Sequence, residues 1–117
     1  MPKHGRRLPG LEGVDSHFDE LMEFEWDREK AAANARKHGV AFSEAMTIFG
    51  DPLELTIDDP DHSHDERRFL SIGMSAAGRV LVVAYTEREG RTRIINAREA
   101  SSQERKSYES TGPTKQQ

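Results

Sequence analysis

Apolar and acidic residues alternate over Met22-Glu23-Phe24-Glu25-Trp26, the two-residue period of a short, half-buried strand. The pattern then changes. Asp27 stands where a helix N-cap belongs, Arg28 to His38 is rich in Ala, Lys and Arg, and Gly39 supplies a stop, which predicts a first helix. A second is expected from Phe42 through Phe49, with Ser43 as its cap and Gly50-Asp51-Pro52 as its end. From Leu53 onward apolar runs are separated by turn residues, predicting strands at Leu53 to Ile57, Arg68 to Met74, Val80 to Glu87 and Thr92 to Ala97. Ser75-Ala76-Ala77-Gly78 and Arg88-Glu89-Gly90 read as hairpin turns, so the last three strands form an antiparallel meander. Ser101-x-x-Glu104 has the spacing of a capping box and opens a last helix over Gln103 to Tyr108.

The order β-α-α-β-β-β-β-α describes an α+β domain over residues 23–110. Two N-terminal helices pack on a small, mainly antiparallel sheet of four to five strands, and a C-terminal helix follows. Residues 1–22, with Gly5, Gly10, Gly13 and two prolines but no sustained periodicity, are expected to be a flexible arm. Residues 111–117 are expected to be a disordered tail.

A chain of 117 residues has room for one core. With 32% charged and 34% hydrophobic residues that core is small, and a partner covering one face would add to its stability. The absence of cysteine removes disulfides, thiolate nucleophiles and Cys-based zinc sites. Val80-Leu81-Val82-Val83-Ala84 is far too short to span a bilayer, and the basic start, Met1-Pro2-Lys3-His4-Gly5-Arg6-Arg7, is not followed by the apolar core of a secretory signal. A cytoplasmic protein with no membrane contact is expected.

The net charge of −4 conceals an uneven distribution. Between Glu54 and Glu66 lie six acids and no Lys or Arg, whereas Arg88 to Arg98 holds four arginines against one acid, Glu89. One region would attract phosphate and the other a basic partner, unless the two sets pair across neighbouring strands. Lys30, Asn34, Lys37 and His38 share a helical face able to grip phosphate oxygens, although Lys37 and His38 also complement the carbonyl end of their helix. Trp26 reads as core rather than as a platform for a base, and Asp27 as a cap rather than a catalytic carboxylate. Asp58-Asp59-Pro60-Asp61-His62-Ser63-His64-Asp65-Glu66 is dense in metal-type ligands but has neither the spacing of a calcium loop nor a His-Glu-x-x-His pattern, so a solvated loop is expected. Arg68, leading into Phe69-Leu70-Ser71-Ile72, is the preferred phosphate ligand of that segment. Alternation places Arg93 on the strand face opposite Ile94 and Asn96. Arg98 would join Arg68 if the strand bends after Ala97, or would pair with Glu99 or Glu104 to orient the last helix.

Three patches, Trp26-Asp27-x-x-Lys30-x-x-x-Asn34-x-x-Lys37-His38-Gly39-Val40-x-Phe42, His62-x-x-x-Glu66-x-Arg68-Phe69 and Arg93-Ile94-Ile95-Asn96-Ala97-Arg98, together resemble the BrnT family of type II toxins over residues 23 to 108. The resemblance implies a RelE-like fold and a small endoribonuclease that inhibits translation. It also implies neutralisation by a BrnA-like ribbon-helix-helix antitoxin, through which the complex binds operator DNA. It draws attention to His38, His62, Glu66 and Arg68, while Asn96 departs from a position where serine is common. On this reading the RNA 2′-hydroxyl attacks the adjacent phosphate without a metal ion or other cofactor. His62 or Glu66 assists proton transfer, Arg68 and Arg98 stabilise the pentavalent phosphate, Lys37 and His38 bind the flanking backbone or supply the leaving-group proton, and Arg93 also holds the RNA. Two alternatives from the same residues are a non-catalytic protein-binding module and a degenerate member that retains only partner binding.

Overall fold

In the computed structural model, which describes residues 22–62 and 66–110, the expected order of elements forms around one five-stranded sheet. The arm, apart from Met22, and the tail lie outside the described residues, as do Ser63, His64 and Asp65 of the acidic loop. Met22 packs against the core.

Strand β1 (Phe24–Glu25) leads into helix α1 (Arg28–His38). The Asp27 carboxylate accepts the Lys30 N–H at 2.8 Å, and Gly39 ends the helix at φ 71° with its N–H donating to the Ala35 carbonyl. A left-handed residue of this kind costs glycine nothing. Helix α2 is shorter than expected, Phe42–Ala45, and tightens into a 3-10 turn over Met46–Gly50. Its N-cap is Ala41 and lacks a side-chain bond, so Ser43 lies inside the first turn rather than capping it. The tightening has a local cause: the Thr47 hydroxyl donates to the Glu44 carbonyl three residues back, at 2.6 Å, and Thr47 also accepts the Ala76 N–H.

The remaining strands are β2 (Leu55–Asp58), β3 (Arg68–Met74), β4 (Val80–Arg88) and β5 (Arg91–Glu99), followed by helix α3 (Ser102–Glu109). Strand order is β1-β5-β4-β3-β2, antiparallel throughout except that β1 runs parallel to β5. The expected turn at Arg88-Glu89-Gly90 is tighter by one residue. Arg88 pairs with Arg91, leaving Glu89 and Gly90 as a two-residue loop with φ of 55° and 80°. Positive φ at both centres is the geometry that matches strand twist in a hairpin.

The core lies between the helices and one sheet face: Val40, Phe42, Ala45, Met46 and Ile48 meet Phe24, Leu81, Val83, Ile94 and Ala97. Trp26 packs edge-on against Phe42 with ring centroids 5.9 Å apart, a core role. Gly73 provides close approach between layers, since a Cβ there would stand 3.1 Å from Ile48 Cβ and 3.2 Å from its carbonyl oxygen. Gly73→Ala is therefore expected to lose about 1–3 kcal/mol of unfolding free energy, read as a lower urea midpoint at unchanged slope.

A bulge interrupts β5. Ala84 faces Asn96 whereas Tyr85 faces Ile94, so Ile95 is the extra residue. Ile94 and Ala97 thereby both reach the core, and Asn96 joins Arg93 on the opposite face. Strict alternation had placed Asn96 with Ile94; the inserted residue reverses that.

Helix α3 is closed by the full capping box, Ser101 accepting from the Glu104 N–H and Glu104 from the Ser101 N–H. It packs near β3, where Tyr108 donates to Asp51 at 2.5 Å. No helix among the described residues is long and apolar enough to cross a membrane.

Candidate functional site

The sheet face away from α1 and α2 carries the basic residues, and the register explains how they meet. Thr86 on β4 lies opposite Arg68 on β3 and opposite Arg93 on β5. Three neighbouring strands thus present Arg68, Thr86 and Arg93 in one row, the two arginine backbones about 10 Å apart. Arg88 stands two residues beyond Thr86 on the same face. Together with Glu66 they line an open cleft of about 170 Å³, whose other wall is built by Asp27 and Lys30 from the start of α1 and by Ile94 and Ile95 from the bulge. Four cations and two carboxylates line it, so its local balance is opposite in sign to that of the chain.

Arg88 and Arg93 are each anchored by a carboxylate. Glu66 is held by a parallel pair of hydrogen bonds from Arg88, Nε to Oε2 and Nη2 to Oε1, both at 2.9 Å. The Arg88 bonds hold the Glu66 carboxyl below its ordinary value, and the nearby charges of Arg93 and Arg68 add to the effect. Glu25 accepts from Arg93 at 3.1 Å and from Arg91 at 2.8 Å. Burial works to raise the Glu25 pKa, but the bonds from Arg91 and Arg93 outweigh it and the carboxyl is held low. Thr86 is 3% exposed, and among the described residues its Oγ1 has no hydrogen-bond partner. A buried hydroxyl in that state costs about 1–3 kcal/mol, which marks it as an unusual feature of a folded chain.

Of the residues singled out from sequence, Lys30, Glu66, Arg68 and Arg93 come together in this cleft. His62 does not line it; its exposed ring sits on a 3-10 turn (Pro60–His62) with Nδ1 3.0 Å from Asp59 Oδ2. Lys37 and His38 stand at the far end of α1, about 10 Å along the axis from Lys30. Asn34 is not a phosphate donor: it is buried, and its amide is spent on Val40 and Ala97. Arg98 also lies elsewhere. Strand β5 continues to Glu99 instead of bending after Ala97, and Arg98 faces Val82, away from the Arg68 row. Its guanidinium forms a fork on Glu104, Nη1 to Oε1 at 2.8 Å and Nη2 to Oε2 at 2.9 Å, tying α3 to the sheet.

That fork has a pH signature. The Arg98 bonds, aided by the Ser101 N–H, pull the Glu104 carboxyl down to about 2 from 4.5 despite partial burial. A carboxyl depressed on folding contributes stability that is complete above pH 4.5 and is lost as pH falls toward 2. Glu104→Gln is therefore expected to flatten the acid limb of a stability profile in that window, measured by urea denaturation at stepped pH.

Arg88 and Thr86 are not among the residues that the sequence singles out, yet a signal for both existed. A two-residue loop at Glu89-Gly90 fixes Arg88 opposite Arg91 and, two steps back, Thr86 opposite Arg93. The placement of Asp27 and Lys30 depends on the packing of α1 beside β5, which no local pattern encodes.

Comparison with known proteins agrees with this architecture. The crystal structure of the Brucella abortus ribonuclease toxin BrnT is similar to 69% of this chain and 99% of its own, with a TM-score of 0.52 and 21% sequence identity. No curated protein matches the chain. A family profile described as the ribonuclease toxin BrnT of type II toxin-antitoxin systems matches residues 26–104, which include the cleft and the fork on α3. By that match, the chain belongs to the BrnT family of ribonuclease toxins of type II toxin-antitoxin systems.

Proposed function

We propose that this protein is the toxin of its pair, an endoribonuclease that cuts single-stranded RNA, mRNA in the cell, with a RelE-like mode of action that needs no metal ion. The observation that carries the proposal is the row Arg68-Thr86-Arg93 with Arg88 and Lys30 beside it, because guanidinium groups fixed on rigid strands suit a phosphodiester and the charge that grows on it. The 2′-oxygen bonds to the adjacent phosphorus as its proton leaves, the bond to the 5′-oxygen breaks, and that oxygen takes a proton from solvent. The products are a 2′,3′-cyclic phosphate and a 5′-hydroxyl. Arg68 and Arg93 neutralise the pentavalent phosphate, with Arg88 alongside. Glu66, within the cleft, is the preferred acceptor of the 2′-hydroxyl proton, and His62, four residues before it, is the other candidate. Lys37 and His38 hold the RNA backbone further along α1.

The partner is a BrnA-like ribbon-helix-helix antitoxin that occludes the cleft, and operator DNA is bound through that antitoxin. Both proteins act in the cytoplasm. Local positive charge on a chain of net charge −4 makes RNA binding steeply salt-dependent. The test is incubation of single-stranded RNA with antitoxin-free protein in excess EDTA, alone and on translating ribosomes, with the product ends analysed. Cyclic-phosphate ends formed in EDTA support the proposal; intact RNA in both settings turns it into a binding module.

A further inference from the structure

We propose that Glu66 is a built-in occupant of the substrate-phosphate site, displaced by the RNA phosphate and, once displaced, released to take the 2′-hydroxyl proton. The inference rests on the ribonuclease reading above and assigns the free protein a self-blocked resting state.

Three observations lead to it. The Arg88 fork that grips Glu66 through both carboxylate oxygens, at 2.9 Å each, is the arrangement that also grips two oxygens of a phosphate. The carboxylate therefore occupies an anion position in the cleft that draws on the charge of Arg68 and Arg93 as well. Second, the plug is incomplete. Both Glu66 oxygens face Arg88, while the Thr86 hydroxyl, in the middle of the arginine row, has no acceptor among the described residues. The oxygens of a phosphodiester are arranged tetrahedrally where those of the carboxylate lie in one plane, so one non-bridging oxygen can meet the fork while the other turns toward Thr86. Third, Glu66 stands two residues before β3, outside the ladder that begins at Arg68, and its side chain is 39% exposed. It can swing out without breaking a strand pairing.

Displacement changes its chemistry. Bound to Arg88 the carboxylate is a poor base; detached, its proton affinity returns toward that of an ordinary carboxylate. The proton leaves the 2′-oxygen as that oxygen bonds to phosphorus, passes to Glu66 and then to solvent. Substrate binding thus switches on the base that acts on it, and Arg88 and Thr86 join the phosphate-binding set.

The test compares wild type, Glu66→Gln and Thr86→Val. Calorimetry reads the affinity for inorganic phosphate and for a fully 2′-O-methylated oligonucleotide, and a steady-state assay reads RNA cleavage. Glu66→Gln keeps the shape but loses the charge, so phosphate affinity should rise about tenfold while kcat falls about 100-fold. The acidic limb of the pH-rate profile should vanish with it. Thr86→Val should weaken phosphate binding about fivefold or more without lowering the urea midpoint, because it removes an unpartnered buried hydroxyl. Glu66→Gln binding phosphate no more tightly than wild type would overturn the plug, and unchanged phosphate affinity in Thr86→Val would remove Thr86 from the site. Tighter phosphate binding by Glu66→Gln, with no RNA cleavage by wild type, would keep the stand-in and reject the ribonuclease reading.

Discussion

Arg68→Ala is expected to cut RNA turnover by about 100- to 1,000-fold, the usual consequence of removing one charge-stabilising donor from a transition state. The fold should survive. Arg68 is the first residue of β3, its backbone keeps its pairing with Thr86, and no part of its side chain belongs to the core between helices and sheet. The loss should appear mainly in kcat, since in the proposed reaction the charge on the phosphate grows as the 2′-oxygen attacks. Circular dichroism and urea unfolding of the same sample separate this outcome from misfolding. A folded variant with turnover within about threefold of wild type would take Arg68 out of the reaction.

The largest effect on stability should come from Asn34. Strand β1 is two residues long and covers β5 only at Thr92 and Arg93, so further along β5 the edge is open. At Ala97, fully buried, the Asn34 amide takes the place of a neighbouring strand: Nδ2 donates to the Ala97 carbonyl at 2.8 Å and Oδ1 accepts the Ala97 N–H at 3.1 Å. The same Nδ2 also donates to the Val40 carbonyl at 2.9 Å, fastening the turn after α1. Asn34→Ala strands these groups away from water, and at about 1–3 kcal/mol for each buried orphan the expected loss is roughly 3–5 kcal/mol. Urea denaturation reads it as a large fall in midpoint. A loss under about 1 kcal/mol would mean that water or a shift of α1 replaces the amide.

Much of this fold was legible in the sequence because its signals are local. Asp27 and Gly39 bound α1 as their chemistry requires, Ser101 and Glu104 form the capping box, and the alternation around Phe24 gives β1. What stayed hidden depends on contacts between distant segments. Asn34 looked like one of a row of surface donors, since spacing along a helix cannot say that an open strand edge waits beside it. The second helix looked regular through Phe49, since a single hydroxyl, that of Thr47, tightens it. The bulge at Ile95 inverted the face of Asn96, and a one-residue insertion leaves no mark in an apolar-polar pattern already broken by Ile94-Ile95.

The candidate site was legible to a similar degree. Charge, helical spacing and resemblance point to Lys30, Glu66, Arg68 and Arg93, and they share the cleft. A bend after Ala97 would bring Arg98 beside them, whereas β5 continues to Glu99 and a partner six residues away, Glu104, engages its guanidinium. Thr86 carried no signal as a residue type; only the hairpin register gives it a place between two arginines. The net negative charge was equally uninformative, because ion pairs such as Arg79 with Glu44 and Arg98 with Glu104 neutralise much of the surface and leave the cleft as a local excess.

The most direct measurement is a side-by-side cleavage assay of wild type, Arg68→Ala and Arg98→Ala on one single-stranded RNA, in EDTA and with folding checked for each. If the cleft centred on Arg68 is the ribonuclease site, Arg68→Ala loses nearly all turnover while folded Arg98→Ala keeps most of it. A folded Arg98→Ala that is silent beside an active Arg68→Ala would contradict that, and would move the site to the end of the sheet where α3 begins.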